Sequence, residues 1–341
     1  MLRRTFLQGM LVAGGTMLTG ARIASSADNP PTAGPLTVDF HSHAWRRADF
    51  ATDLRQGAVN VAVMVATSDR ILLNRDSGRQ RALGTVSPGV HANATEQMAV
   101  ITLAVERNDL LTIRTPADAE RARATGKPGI LIGFEGGDVL EGKLERLQEV
   151  HAGGARLLQL VHYRVNELGD IQTEDPVHAG LTPFGADVVR ACNQLGIIVD
   201  LAHATFEATR QAAKITTRPL LLSHTFLTDA PRRYTRGITR EHALAVTETG
   251  GVVGVVPFPS TFVSLQDYTA GIARMVDAVG VNHVGIGGDL AGIRGAPPYR
   301  RFEQFPAIVQ MLQSRGFSSE DAAKIAGGNF MRLFVAVAAV S

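Results

Sequence analysis

Residues 197–225, IIVDLAHATFEATRQAAKITTRPLLLSHT, decide the fold of this chain. They contain two short apolar runs, each ending on a histidine, with a segment of helical periodicity between them. Nearly continuous runs of Val, Ile and Leu are typical of strands buried on both faces of a parallel sheet. A strand, a crossover helix and a second parallel strand place both strand ends at one edge. His203 and His224 are therefore predicted to approach a common point.

The same alternation runs through the rest of the chain. Eight strand-like apolar runs occur at residues 36–41, 60–66, 129–135, 155–162, 197–203, 219–224, 251–257 and 283–289. Segments of helical periodicity separate most of them, and many of these close on a glycine, as helix C-termini commonly do. This pattern predicts a single α/β domain over residues 36–341, a TIM-type (β/α)8 barrel. Residues 110–125 are interpreted as an excursion outside the barrel, and residues 320–340 as a C-terminal helix packed against it.

The N-terminal segment, residues 1–27, is predicted to be an export signal. The pair Arg3-Arg4 resembles the twin-arginine motif, the following apolar run is too short to span a bilayer, and residues 25–27 offer a small-residue cleavage site. An N-terminal helix that stays uncleaved as an anchor is the alternative. Residues 28–35 form a Pro-rich linker. The expected location is the periplasm, reached through the twin-arginine export machinery.

Composition and charge exclude several classes of function. The chain has 341 residues, of which 45% are hydrophobic and 19% charged, as in an ordinary globular protein. Removing residues 1–27 takes away three arginines and no acid, which leaves 31 basic and 32 acidic residues. A chain so close to neutral has no general electrostatic preference for nucleic acid or anionic membranes. Cys192, the single cysteine, cannot form an intramolecular disulfide.

Six of the eight predicted strands deliver His, Glu or Asp at their carboxyl ends. Barrel enzymes place their active sites at that face. One histidine at a strand end is more often structural than functional, but the coincidence of six such strand ends favours one built site. The residues concerned are His41, His43, Glu135, His162, His203, His224 and Asp289.

The donor types predict a metal centre. Imidazole and carboxylate together suit zinc or a similar divalent ion. His41, His43, His203 and His224 with Glu135 are too many ligands for one catalytic zinc that keeps a water. They fit two metals that share a carboxylate bridge and a bridging hydroxide.

Six motifs, in chain order, carry a resemblance to a known family. They are EGG from Glu135, LLQLVH ending at His162, GLTPFG at residues 180–185, VDLAH ending at His203, Ser223-His224, and GIGGD ending at Asp289. Together they resemble the membrane dipeptidase family (renal dipeptidase, peptidase family M19), amidohydrolase-type metallohydrolases with a (β/α)8 barrel. The resemblance covers nearly the whole chain after the linker. It implies that His41 and His43 bind one zinc, that Glu135 bridges, and that His203 and His224 bind the second zinc.

The resemblance also implies roles for residues that meet the substrate. His162 matches a histidine that contacts the substrate and polarises the scissile carbonyl. Asp289 matches an acid that relays a proton from the bridging water to the leaving amine. Arg236 is the counterpart of an arginine that holds the substrate carboxylate, provided that one residue is inserted before it. Arg232 and Arg233 are the alternatives.

Two positions depart from the family pattern. The family usually has His-x-Asp on its first strand, whereas this chain has His41-Ser42-His43. It also lacks the second acid that the family carries shortly after the position of Asp289. Replacing a carboxylate by a neutral imidazole leaves the metal cluster about one charge more positive, which strengthens the metals as Lewis acids. These departures bear on substrate specificity more than on reaction type.

The resulting prediction is a zinc-dependent dipeptidase that acts on dipeptides through a metal-bridging hydroxide. The alternatives are a metal-dependent hydrolase of another small amide, a lactam, an ester or an N-acyl amino acid, and a non-catalytic periplasmic protein that binds metal or peptide. The sequence leaves the oligomeric state open, with a homodimer as one option.

Overall fold

Eight parallel strands with apolar, nearly continuous sequences form a nearly closed barrel. The computed structural model of the chain describes residues 34–74, 81–82, 89–229 and 235–339. The strands succeed one another around the barrel in chain order. Labelled β1 to β8, they are Val38–Ser42, Val61–Thr67, Gly129–Glu135, Leu157–Gln159, Ile198–Asp200, Leu221–Leu227, Val252–Val255 and Val284–Ile286. The predicted (β/α)8 barrel is confirmed, although several strands are shorter than their apolar runs.

The barrel closes at its carboxyl end through the residues that follow β8. The His43 N–H donates to the Leu290 carbonyl at 2.8 Å, and the Asp289 N–H donates to the His41 carbonyl at 2.8 Å. Ser42 also forms a parallel bridge with Leu290. This closure brings the histidines of β1 beside Asp289.

Helices connect the strands, and capping residues in the sequence fix their ends. Thr182 Oγ1 accepts a hydrogen bond from the Gly185 N–H, with Pro183 at the first helical position, and Gly196 ends the same helix at φ 69°. The α-helices of the described chain are Phe50–Gln56, Val90–Arg107, Pro116–Thr125, Glu145–Ala152, Pro183–Leu195, Phe206–Ile215, Arg240–Thr247, Leu265–Val279, Phe305–Ser314, Ser319–Ala323 and Asn329–Ala338.

The excursion between the second and third barrel strands lies beside the barrel path, as predicted. A short strand, Leu111–Ile113, pairs with the first half of β3, whereas β4 pairs with the second half of the same strand. The helix Pro116–Thr125 then returns the chain to β3. Two further short pairings lie off the path: Leu73–Asn74 pairs with Arg81–Ala82, and Gly237–Ile238 pairs with the end of β6.

The C-terminal helix is interrupted rather than continuous over residues 320–340. A π-helical turn, Lys324–Gly328, separates its two α-helical parts. Gly327 lies against the chain entering β1, and a Cβ at this position would stand 2.4 Å from the Leu36 carbonyl oxygen. Glycine therefore permits the close approach that breaks the helix.

Alternate strand residues fill the barrel interior, and the final helix covers the same core. Side chains of β1, β2 and β3 pack in one buried cluster with Phe330, Leu333, Phe334 and Val337 of the last helix. The ring of Phe40 lies 5.0 Å from that of Phe330. The opposite edge of the Phe40 ring occupies the space that a side chain at Gly285 would take, since a Cβ there would stand 2.0 Å from Phe40 Cζ.

The predicted export signal, residues 1–27, lies outside the described residues, as does most of the linker, residues 28–35. Both stay predictions. Among the described helices, none combines the length and apolar character needed to cross a bilayer.

Substituting Gly285→Ala should destabilise the fold, because the added Cβ overlaps the Phe40 ring and overpacking costs about 1–3 kcal/mol. The measurement is the thermal unfolding midpoint. Gly34→Ala is the control, since a Cβ there would meet nothing within 4 Å. The double variant Phe40→Leu, Gly285→Ala should lose less stability than the two single changes together. Equal midpoints for Gly285→Ala and Gly34→Ala would contradict the packing described.

Candidate metal centre and substrate cavity

The predicted site residues all lie at the carboxyl face of the barrel. His41 and His224 lie within strands β1 and β6, and Glu135 is the last residue of β3. The other four lie one to three residues beyond the ends of β1, β4, β5 and β8: His43, His162, His203 and Asp289.

The Glu135 carboxylate lies at the centre of this group. Its Oε1 is 3.3 Å from His41 Nε2 and 3.2 Å from His162 Nε2, and its Oε2 is 3.2 Å from His43 Nε2. Glu135 is 2% exposed. Burial opposes ionisation, but the charge of His162 and the contacts with His43 and His41 hold the pKa of Glu135 well below its usual range. Glu135 is therefore a buried carboxylate stabilised by surrounding imidazoles.

His203 and His224 also lie beside this carboxylate. Their Nε2 atoms lie 3.1 Å apart, and each is 3.8 Å from Glu135 Oε1. Burial lowers the pKa of His203 well below its usual value, and the neighbouring Arg236 adds to the effect. Burial also lowers the pKa of His224, together with the charge of His41. Both rings are thus neutral, the form of imidazole that binds metal.

His162 is oriented by an aspartate that sequence reasoning missed. His162 Nδ1 lies 2.7 Å from Asp69 Oδ1, and since a carboxylate only accepts, Nδ1 carries the proton. The Tyr163 N–H donates to the other Asp69 oxygen at 3.0 Å. Burial opposes protonation, yet Asp69 and Glu135 raise the pKa of His162 to about 9. Asp69 follows β2, and its position after an apolar run was the signal available in the sequence.

Asp289 lies between the metal-ligand candidates and the cavity. Its Oδ1 is 3.6 Å from His43 Nε2 and 4.0 Å from His41 Nε2. Its backbone has φ 45°, a left-handed conformation that is uncommon for a non-glycine residue and that recurs at functional sites. Burial raises the pKa of Asp289 to about 7, with His41 opposing and Glu135 adding to the shift.

Two further buried aspartates hold the ligand-bearing strands in place. Asp39 Oδ1 accepts from the His41 and Gly288 N–H groups, each at 3.1 Å, and Asp39 Oδ2 accepts from the Tyr299 hydroxyl at 2.9 Å. Asp200 Oδ1 accepts from the Ala202 and Ser223 N–H groups. These contacts tie β1 to β8 and β5 to β6, and sequence reasoning assigned neither residue a role.

Arg236, which the family resemblance implies as the carboxylate-binding arginine, lies after β6 and contributes to the site. It is 8% exposed. Its Nη2 donates to the His224 carbonyl at 3.1 Å, and its Nη1 donates to Gln172 Oε1 at 3.0 Å. The competing candidates, Arg232 and Arg233, lie outside the described residues.

A cavity of about 220 Å³ opens onto this cluster, and Arg236 contributes to its lining. Its volume is below the ~300–1,000 Å³ of pockets for drug-sized ligands. The cavity therefore suits a small substrate. The predicted site residues at its wall are His43, Glu135, His162, His203, His224 and Asp289.

The donor set fits divalent metal ions. In each of two donor groups, the possible ligand atoms lie within 4.8 Å of one another. The first group is His41, His43 and Glu135, and the second is Glu135, His203 and His224. Both groups contain Glu135, as a pair of ions sharing one carboxylate requires. Nitrogen and carboxylate ligands in this proportion suit zinc, among other divalent ions. The individual ligand roles stay predictions, including that of His43.

The proteins to which this chain is similar include ones named dipeptidase. The family described as "Membrane dipeptidase (Peptidase family M19)" matches residues 37–341. Dipeptidase aclJ of Aspergillus oryzae is 29% identical over 217 residues, covering 61% of this chain and 51% of that protein. A protein of Schizosaccharomyces pombe named uncharacterized dipeptidase C3A11.10c is 31% identical over 217 residues, which cover 60% of this chain and 52% of that protein. The chain thus spans about half the length of these curated relatives.

Solved structures show the same fold. An amidohydrolase from Pseudomonas aeruginosa superposes with a TM-score of 0.76 at 21% identity, over 89% of this chain and 96% of that one. A second structure is a metallo peptidase from Rhodobacter sphaeroides, solved with a phosphinate mimic of the dipeptide L-Ala-D-Ala. It gives a TM-score of 0.77 at 18% identity, over 89% of this chain and 99% of that one. At these identities the likeness concerns the fold.

Removing one candidate ligand from either donor group that contains Glu135 should empty one metal position. We expect two zinc ions per chain in the unaltered protein and about one in His43→Ala and in His203→Ala, because each change leaves one ion too few donors. Elemental analysis after dialysis measures the ratio. His151→Ala is the control, since His151 lies on the helix Glu145–Ala152 outside the cluster. Unchanged metal content in both variants would contradict the assignment.

Proposed function

The chain belongs to the membrane dipeptidase family (peptidase family M19), and on that premise we propose that it is a metallo-dipeptidase. The observation that carries the proposal is the buried Glu135 carboxylate, which has the imidazoles of four histidines within 3.8 Å: His41, His43, His203 and His224. A buried carboxylate contacted by several imidazoles is costly as a structural device. It is well suited to holding two cations.

The proposed cofactor is a pair of divalent ions, with zinc expected. His41, His43 and Glu135 would hold one ion, and Glu135, His203 and His224 the other. Bound in this way, the ions supply Lewis acidity and a water whose pKa falls to ~7, so that a nucleophile is available at neutral pH. The remaining steps belong to the protein's own side chains.

His162 is positioned to stabilise negative charge on the scissile carbonyl oxygen. Its Nδ1–H is fixed by Asp69, so its Nε2 faces the cluster and lies 3.2 Å from Glu135 Oε1. A donor held in place before reaction stabilises a developing oxyanion without reorganisation. Asp289 faces the same space from the β8 side, where its carboxyl group can accept a proton and pass it to the leaving amine.

Arg236 supplies the recognition of a free α-carboxylate. Its guanidinium is held by Gln172 and by the His224 carbonyl, next to a metal-ligand candidate. A carboxylate bound there would place the adjoining amide over the cluster, and the small cavity leaves little room for a longer chain. Dipeptides are therefore favoured over longer peptides. Delivery to the periplasm by the twin-arginine route is proposed from residues 1–27 alone.

The activity is tested with purified, zinc-loaded protein and a panel of dipeptides, N-acyl amino acids and lactams. Hydrolysis of dipeptides is expected, with complete loss after exhaustive chelation and recovery on adding zinc. Glu135→Gln should lower kcat/KM by at least ~1,000-fold, because the shared carboxylate is removed. Turnover is followed by chromatography of the released amino acids.

Other outcomes identify the alternatives. Cleavage of N-acyl amino acids or lactams without cleavage of dipeptides would assign another amide hydrolase. Two bound metals with no turnover of any amide would assign a binding protein. Activity that survives chelation would exclude the metal mechanism.

Arg236→Met should raise the KM for a dipeptide about 10- to 100-fold, because a charge-assisted hydrogen bond of ~1.5–3 kcal/mol is lost. The same variant should leave the KM for the C-terminally amidated dipeptide nearly unchanged, since that substrate has no carboxylate. Steady-state kinetics on both substrates gives the comparison, and Arg107→Met, a change at an exposed helical arginine away from the cavity, is the control. An equal KM increase on both substrates would assign Arg236 a structural role instead.

A further inference from the structure

Four arginines contribute to the lining of the substrate cavity, and they outnumber the acids there. They are Arg46, Arg70, Arg236 and Arg294, whereas the acidic residues among the described lining are Glu135 and Asp289. Glu135 is already contacted by imidazoles. The chain after residue 27 has nearly equal numbers of basic and acidic residues, so this excess of positive charge is local to the cavity.

The topology divides these arginines into two groups. Arg46, Arg70 and Arg294 follow β1, β2 and β8, three consecutive strands of the barrel. Arg236 follows β6, four strands from β2 in a barrel of eight. Counted around the barrel, Arg236 is therefore four strands from Arg70, three from Arg46 and two from Arg294, so Arg236 and Arg70 follow opposite strands. A substrate bound at Arg236 that spans the cavity would extend its acyl-side residue toward the arginines after β8, β1 and β2.

Two arginines of the group that follows β1, β2 and β8 are open to a ligand. Arg70 and Arg294 are exposed, and neither forms a hydrogen bond or ion pair with another described residue. Arg46 donates to the neutral Thr67 hydroxyl at 2.9 Å, and its guanidinium lies 5.1 Å from the Trp45 ring centroid. A cleft lined by one sign of charge attracts a ligand of the opposite sign.

We propose that the preferred substrate is an amide with two carboxylates, the second of them on its acyl side, where it binds at Arg70 and Arg294. This inference rests on the proposed dipeptidase activity and deepens it. Two chemical sources can provide such a carboxylate. One is a dipeptide with an acidic N-terminal residue, whose ammonium group Asp289 can meet. The other is a dicarboxylic acid joined to an amino acid, which has no ammonium group.

The test compares substrates that differ by one group. Glu-Ala and Gln-Ala have the same shape and differ in one charge, Lys-Ala reverses that charge, and N-glutaryl-alanine is Glu-Ala without the amine. We expect kcat/KM for Glu-Ala to exceed that for Gln-Ala by on the order of 10-fold at low salt, with Lys-Ala lower still. The preference should shrink as ionic strength rises. The ratio of N-glutaryl-alanine to Glu-Ala distinguishes the two sources.

The arginines are tested by the ratio of the two isosteric substrates. In the double variant Arg70→Gln, Arg294→Gln, the Glu-Ala to Gln-Ala ratio should fall to near one. Arg107→Gln, which removes an exposed arginine outside the cavity, should keep the ratio of the unaltered protein. Metal content and the unfolding midpoint of each variant establish that the fold and the metal centre are intact.

Each outcome has a definite meaning. Equal kcat/KM for Glu-Ala and Gln-Ala would overturn this inference and leave the dipeptidase proposal standing. A preference that survives in the double variant would overturn the assignment to Arg70 and Arg294. Failure of the zinc-loaded protein to cleave any of the four substrates, or any member of the wider panel, would overturn the proposed function and this inference with it.

Discussion

The buried carboxylate of Glu135 is the constraint on which the site depends. An ionised carboxylate removed from water costs several kcal/mol unless charge or hydrogen bonds compensate it. At Glu135 the compensation comes from imidazoles delivered by β1, β4, β5 and β6. Side chains from so many strands reach one carboxylate because the carboxyl ends of all the barrel strands surround one opening. The fold therefore allows the charge of Glu135 to be buried and, in the proposed function, to hold metal ions.

Two aspartates, Asp39 and Asp200, support the site by fixing the backbone beside the histidines. Asp39 binds backbone N–H groups of His41 and Gly288, and Asp200 binds that of Ser223 beside His224. In each case a side chain fixes the backbone of a neighbouring strand rather than the ligand ring. Supporting contacts of this kind keep ligands within a narrow range of positions. The left-handed backbones of His203 and Asp289 fit the same interpretation, since strained residues persist where the surroundings determine them.

The barrel could be predicted from the sequence because each strand is a local apolar run bounded by glycine or polar residues. The predicted strands and the excursion at residues 110–113 therefore have counterparts in the structure. The long helix Val90–Arg107 was not predicted, and the break at Gly327 depends on contact with Leu36, far away in sequence. Asp69 was missed for the same reason, because its partner His162 is 93 residues away. Local patterns predict elements, whereas pairings between loops require the three-dimensional structure.

The charge of the site links the departure at His43 to the arginines of the cavity. An aspartate in place of His43 would add a negative charge beside Glu135 and Asp289, where His43 Nε2 now lies within 3.6 Å of both carboxylates. Histidine removes that charge, and burial lowers its pKa to about 4, so it adds no positive charge at neutral pH. The acids among the described lining residues are then Glu135 and Asp289, and Glu135 is already contacted by imidazoles. With one carboxylate fewer to attract an ammonium group, and with Arg46, Arg70 and Arg294 following β1, β2 and β8, the metal-ligand candidates and the cavity wall both favour the proposed anionic acyl end over a cationic one.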